Sequence, residues 1–104
     1  HDALPICILV ITMSSENEEM LIKNIQSVGE NLKYRIKDNN KITLLGPCTC
    51  GVSKIKNFYR WQIIIKGDIK ETIALEIKNS VYESVKNVYS IIRVSIDINP
   101  SNMI

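Results

Sequence analysis

The chain has 104 residues, 45% hydrophobic and 23% charged, with 13 basic against 11 acidic side chains and a net charge of +2. That is one small domain able to bury a real core, which excludes a disordered tail, and the mildly basic balance permits nucleic acid as a partner without demanding it. Cys7, Cys48 and Cys50 are an odd count without a signal-peptide pattern, which argues against a disulfide framework and for a reducing cytoplasm, and the apolar run Ile6 to Ile11 is far too short to span a bilayer.

Pro5 to Met13 is almost continuously apolar and rich in β-branched residues, the signature of a central strand covered at least in part on both faces. Ser15 and Glu18 stand at capping-box spacing, and Leu21, Ile25, Val28 and Leu32 follow at helical intervals, so the spacing predicts a first helix. Gly29 weakens the C-terminal half of that helix by about 1 kcal/mol relative to Ala. Asp38-Asn39-Asn40 is a turn cluster, and Lys41 to Leu45 is a short second strand stopped by Gly46-Pro47. A basic-aromatic loop to about Asn57 follows, then a strand from Phe58 to Lys66.

In that strand Tyr59, Trp61, Ile63 and Ile65 alternate with Phe58, Arg60, Gln62, Ile64 and Lys66, giving one core face and one mostly polar face. Asp68 and Glu71 again have cap spacing, and Ile69, Ile73, Ile77, Val81 and Val85 recur every four residues as an amphipathic second helix. The segment Tyr89 to Ile98 closes the pattern as a strand in which Ile92, Val94, Ile96 and Ile98 alternate with Arg93, Ser95 and Asp97, ended by Asn99-Pro100. The order β-α-β-β-α-β predicts a four-stranded antiparallel sheet with two helices on one face, the ferredoxin-like α+β arrangement.

No self-contained chemistry emerges from these residues. Gly46 to Gly51 has the outer spacing of a phosphate-binding loop, but Val52-Ser53 follows where Lys and a hydroxyl residue are needed, and Pro47 removes a backbone donor. Cys48 and Cys50 could supply two thiolates, yet only Cys7 and His1 remain to complete a zinc site, so packing accounts for them better. A cysteine nucleophile lacks a basic partner. Asp97 reads as one half of a surface ion pair with Arg93 or Arg60. The remaining candidate is the cluster Lys54, Lys56, Tyr59 and Arg60, where cations can follow phosphates and exposed aromatics can stack on unpaired bases; Trp61 reads as core by alternation.

The central stretch resembles the C-terminal domain of bacterial primosomal protein N′, the PriA replication-restart helicase family. The shared features are Leu45-Gly46-Pro47, the run Lys54 to Lys66 with its Arg60-Trp61-Gln62 core followed by three isoleucines, and Ile96-Asp97-Ile98-Asn99-Pro100, with the Ser14, Ser15, Glu18 helix entry similar as well. The resemblance spans roughly residues 7–104. Departures are Cys48 and Cys50 at positions of small residues, Phe58 for the first Arg of the strand motif, Asn99 for an acid, and an atypical lead-in over residues 1–6.

The resemblance implies an accessory C-terminal domain of an ATP-dependent 3′-to-5′ DNA helicase that recognises stalled forks and promotes reloading of the replicative helicase. ATP with magnesium and zinc would belong to the rest of that parent, with no cofactor held by this stretch. Its partners would be forked or single-stranded DNA, the helicase core of the same chain and single-stranded DNA-binding protein, with no membrane, in a monomer located in the cytoplasm at the nucleoid. Lys54, Lys56, Arg60, Lys66 and Arg93 are then the expected DNA contacts, and Gln62, Ile64 and Asp97 the expected interface. Two other classes fit the pattern: a purely structural docking domain, and an effector-binding regulatory domain dimerising through sheet edges.

Overall fold

The apolar run near the start folds as strand β1 (Cys7–Ser15) in the computed structural model, which describes residues 6–99. Leu9, Ile11, Met13 and Ser15 alternate into the core and are completely buried. Val10 points the other way and is still only 7% exposed, because β1 is a central strand with neighbours on both sides. Helix α1 (Glu18–Ile36) follows. The expected capping box is replaced by a cap two residues later: Asn17 accepts from the Met20 amide at 3.1 Å, while Ser15 stays in the strand and its Oγ accepts from the Asn17 amide at 3.0 Å. An Asn side chain reaches the third amide of the helix as well as Ser does, and the strand retains Ser15 as a buried residue. Leu21, Ile25, Val28 and Leu32 form the buried stripe as expected.

The largest departure from expectation lies between Gly46 and Asn57. Strand β2 (Ile42–Ile55) continues past Gly46-Pro47 and pairs antiparallel with β3 (Phe58–Gly67) along an interrupted ladder. The register steps from Leu45↔Ile64 to Cys48↔Gln62, so Gly46 and Pro47 face Ile63 alone in a β-bulge. A proline in a bulge occupies a position where the ladder needs no donor, which is why it bends the strand instead of ending it. A second step, from Thr49↔Trp61 to Lys54↔Tyr59, leaves Cys50, Gly51, Val52 and Ser53 opposite Arg60 alone. The hairpin then closes through Lys56 and Asn57, at φ 49° and 70°, the positive pair that a two-residue turn compatible with strand twist requires.

Helix α2 (Glu71–Val85) begins after an extended Lys70 with no side-chain cap; Asp68, expected as a cap, instead lies 3.8 Å from the Lys70 ammonium. Ile77, Val81 and Val85 are buried with Ala74, while Ile69 is buried just ahead of the helix. Strand β4 (Arg93–Ile98) starts four residues later than its sequence pattern suggests, because Ile91 and Ile92 both donate to the Val88 carbonyl and keep that stretch in tight turns. Its far end is fastened to β1 by the Asn99 side chain, which accepts from the Ile8 amide at 2.8 Å. Pro100, the expected strand stop, and residues 1–5, most of the atypical lead-in, lie outside the described residues.

The sheet order is β2-β3-β1-β4, antiparallel throughout, with both helices on one face: the ferredoxin-like arrangement. One layer of isoleucine, leucine, valine and methionine between sheet and helices forms the core, with Tyr59 and Trp61 packed half-buried at its margin. Among the described residues no helix covers the opposite face of the sheet.

Candidate nucleic-acid interface

Residues paired across an antiparallel ladder share a face, so the register maps the uncovered side of the sheet row by row. Arg60 on β3 and Arg93 on β4 both sit opposite Ser14 of β1. They flank a small hydroxyl residue with their Cα atoms about 10 Å apart, two strand spacings. The next row is polar, with Cys48, Gln62, Thr12 and Ser95 in line. Beyond it lie Leu45, Ile64, Val10 and Asp97, an apolar row with one acid at its edge. Lys66 opposes Ile8 one row further, about 20 Å along the strand from Arg60.

The expected pairing of Asp97 with Arg93 or Arg60 is therefore not formed. Both arginines lie in the Ser14 row and Asp97 in the Val10 row, four residues along the strand, and no ion pair joins them among the described residues. The arginines are held by other means. Arg60 is half-buried, and its Nη1 donates to the Val52 carbonyl at 2.8 Å, closing the wide bulge of β2. One donor is thereby used, and a guanidinium has five. The Arg93 guanidinium lies 4.1 Å from the ring centre of Phe58, a cation stacked on an aromatic face.

The basic loop of the sequence divides between the two sides of the sheet. Lys56 is exposed at the tip of the turn. Lys54 pairs with Tyr59, and its ammonium lies 4.7 Å over that ring, so it belongs to the helix side. There Tyr59 shares a shallow cleft with Glu16, Glu18 and Glu19 at the start of α1, a less favourable neighbourhood for phosphate. Cys50 is 4% exposed and folds inward from the bulge. Burial pushes its thiol pKa up, the Arg60 charge pulls it back in part, and Cys48 adds to the rise. Among the described residues no cluster of three or more His, Cys, Asp or Glu is arranged to hold a metal ion, and no helix is long and apolar enough to cross a membrane.

Three features escape the sequence pattern: the Arg93–Phe58 stack, the Arg60–Val52 clasp, and the exposed Tyr89 and Ile91 beside them. The first joins residues 35 positions apart on strands that do not pair with each other, and the second crosses a bulge that shifts the hairpin register. The last falls in a stretch whose β-branched residues suggest strand, although the adjacent pair Ile91-Ile92 breaks the two-residue alternation and signals something else.

A four-stranded sheet with helices behind it and arginines stacked and clasped on its open side defines a small α+β domain of ferredoxin-like class. Comparisons with known proteins narrow the class. The sequence profile of the Primosomal protein N C-terminal domain family matches residues 5–101, and the chain belongs to that family, which places it among primosomal, replication-restart proteins. Among curated protein sequences, none matches the chain significantly.

Solved structures similar to it share the fold at low identity. The de novo designed protein Foldit4 is 12% identical, with a TM-score of 0.67 over 94% of this chain and 100% of its own. A de novo designed protein with ferredoxin fold, LFR1 1, is 12% identical, with a TM-score of 0.58 over 92% of this chain and 86% of its own. A hydantoinase/carbamoylase family amidase from Burkholderia ambifaria contains a segment that is 5% identical, with a TM-score of 0.53 over 89% of this chain and 27% of the amidase.

Proposed function

We propose that the chain is the accessory DNA-binding and docking domain of a primosomal replication-restart helicase, acting without turnover of its own. The observation that carries this reading is the Ser14 row, where Arg60 and Arg93 stand on either side of a small polar residue on the uncovered sheet face. Phosphates of forked or single-stranded DNA would run over that row, towards Lys56 at the hairpin tip and towards Lys66 at the other end, with Lys54 adding charge from behind. ATP with magnesium and zinc would be held by other parts of the helicase. Family membership is compatible with such a non-catalytic part.

Binding of the chain to a forked oligonucleotide should weaken as salt rises, with a logarithmic slope of about 0.9 for each phosphate neutralised on duplex and about 0.7 on single strand. Charge reversal at Arg60, Arg93 and Lys56 should reduce both affinity and slope. Unchanged binding would remove those residues from the interface.

A second reading has its own observation. Leu45, Ile64 and Val10 form an apolar row across the same face, with Gln62 and Asp97 at its borders, and this suits protein better than phosphate. The helicase core of the same protein, or single-stranded DNA-binding protein, would dock there. Ile64→Gln, which removes the apolar surface without adding charge, should then abolish that association and leave the salt-dependent DNA affinity in place.

A further inference from the structure

A cleft of about 480 Å³ opens where the hairpin tip meets the connection between α2 and β4. Phe58, Arg93, Tyr89 and Ile91 line it, together with Glu16 and Asn17 from the start of α1. This volume lies in the range of small-molecule pockets and leaves room for a planar ring system. Its walls carry three properties that converge on one ligand class.

The first is a ready-made stack. Arg93 is exposed and lies 4.1 Å from the Phe58 ring centre, so a flat ligand placed on the outer side of the guanidinium continues the pile. The second is a positioned aromatic edge: Tyr89 is 51% exposed although its ring is braced by Tyr82, with centroids 6.4 Å apart. An aromatic side chain that is supported from behind and open in front loses little freedom when something packs on it. The third is charge. Glu16 and Arg93 both line the cleft and offset each other, so an anionic group gains no net charge attraction inside it, whereas Arg60 lies across Ser14 just outside as a further cation. Planar stacking within and cationic attraction at the rim describe a base and its phosphate, respectively.

We infer that this cleft holds one unpaired base of a single-stranded nucleic acid, laid on the Arg93–Phe58 stack beside Tyr89, while the neighbouring phosphates pass over Arg60. The inference deepens the DNA-binding reading and rests on it. It adds a site for an unpaired base, which phosphate contacts alone do not provide, and so a preference for strands over blunt duplex.

The test is titration of the chain with a single-stranded oligonucleotide carrying 2-aminopurine, followed by its fluorescence. The expected result is quenching on binding. Tyr89→Ser and Phe58→Leu should each lose the quench and bind about fivefold to a hundredfold more weakly. Arg93→Lys, which keeps the charge and loses the planar group, should likewise lose the quench. Circular dichroism of each variant reports that the fold is intact, and Arg60→Glu serves as the contrast: weaker binding, with the same quench at saturation.

Binding without any quench, or quenching that survives all three cleft variants, would overturn the cleft while leaving the phosphate contacts standing. Absence of binding by the wild-type chain at low salt would overturn both. Displacement of the strand by a free deoxynucleoside monophosphate at equal concentration would reassign the cleft to a mononucleotide and overturn the strand assignment.

Discussion

Strand β2 breaks its ladder twice, and the two breaks are held in opposite ways. At the first, Gly46 and Pro47 bulge against Ile63 and are closed in by the helix layer: a Cβ added to Gly29 of α1 would lie 3.1 Å from the Pro47 ring. Gly46 itself has φ 96°, and a Cβ there would meet the Gln62 carbonyl oxygen at 2.9 Å. Backbone sterics at Gly46 and the seat of the Pro47 ring on α1 fix this bulge. At the second, four residues from Cys50 to Ser53 swing out opposite Arg60 and are tied by one side chain to one carbonyl. Val52 is exposed there, and Cys50 is the only member of the four tucked inward. A bulge enforced by close packing on both sides is structural; a bulge closed by a guanidinium that also faces the open sheet is a candidate moving part.

Substitutions should separate the two. The largest effect is expected for Gly46→Ala, which combines a disfavoured positive φ with a backbone clash: a loss of about 2–4 kcal/mol in urea denaturation. Gly29→Leu should follow at about 1–3 kcal/mol, since the added side chain must displace Pro47 from its seat on the helix. If either cost no more than a surface change, the first bulge would not be fixed as described.

At the second bulge, Arg60→Met should cost about 0.5–1.5 kcal/mol, the net worth of an ordinary hydrogen bond, while limited proteolysis between Cys50 and Ser53 accelerates. Equal proteolysis of wild type and variant would show that the clasp does not hold the loop. Val52→Ser should change stability by less than about 0.5 kcal/mol, the range for an exposed position.

The two cysteines of this strand give the finest discrimination. Cys48 is exposed, whereas burial raises the pKa of Cys50, so less thiolate is present at any given pH and Cys50 should be alkylated well after Cys48 by iodoacetamide. The linkage has a definite sign. The thiol of Cys50 contributes fully below the ordinary cysteine pKa, and the contribution declines as pH rises towards its raised folded value. A Cys50→Ala variant should lack that small alkaline decline; simultaneous labelling of both thiols would contradict the inward placement of Cys50.

Both bulges also mark where the sequence stops being readable. Periodic apolar positions such as Ile63, Ile65 and Leu21, Ile25, Val28, Leu32 state their own faces, so the element order, the core and the outward side of β3 follow from spacing. Arg60, Lys66 and Arg93 were legible as one face for the same reason. The continuation of β2 was not, because proline and glycine read as strand-breakers unless the partner strand is known to need no donor opposite them. Lys54 was placed with the other cations by proximity in the chain, whereas its register partner Tyr59 carries it to the helix side. The helix caps at Asn17 and Lys70 moved because several nearby polar residues fit a first turn, and tertiary packing decides which of them is used. The Arg93–Phe58 stack depends on two strands meeting through a third, which no local pattern encodes.

Pro47 has one more effect, because β2 forms a border of the sheet. A border strand offers its unpaired amides and carbonyls to any chain able to lie alongside, including another copy of itself. Here the row of amides is missing one donor, and it is bent at the first bulge and interrupted at the second. The border therefore presents no straight, complete template, and growth of the sheet from one molecule to the next is discouraged on the side nearest the cationic hairpin.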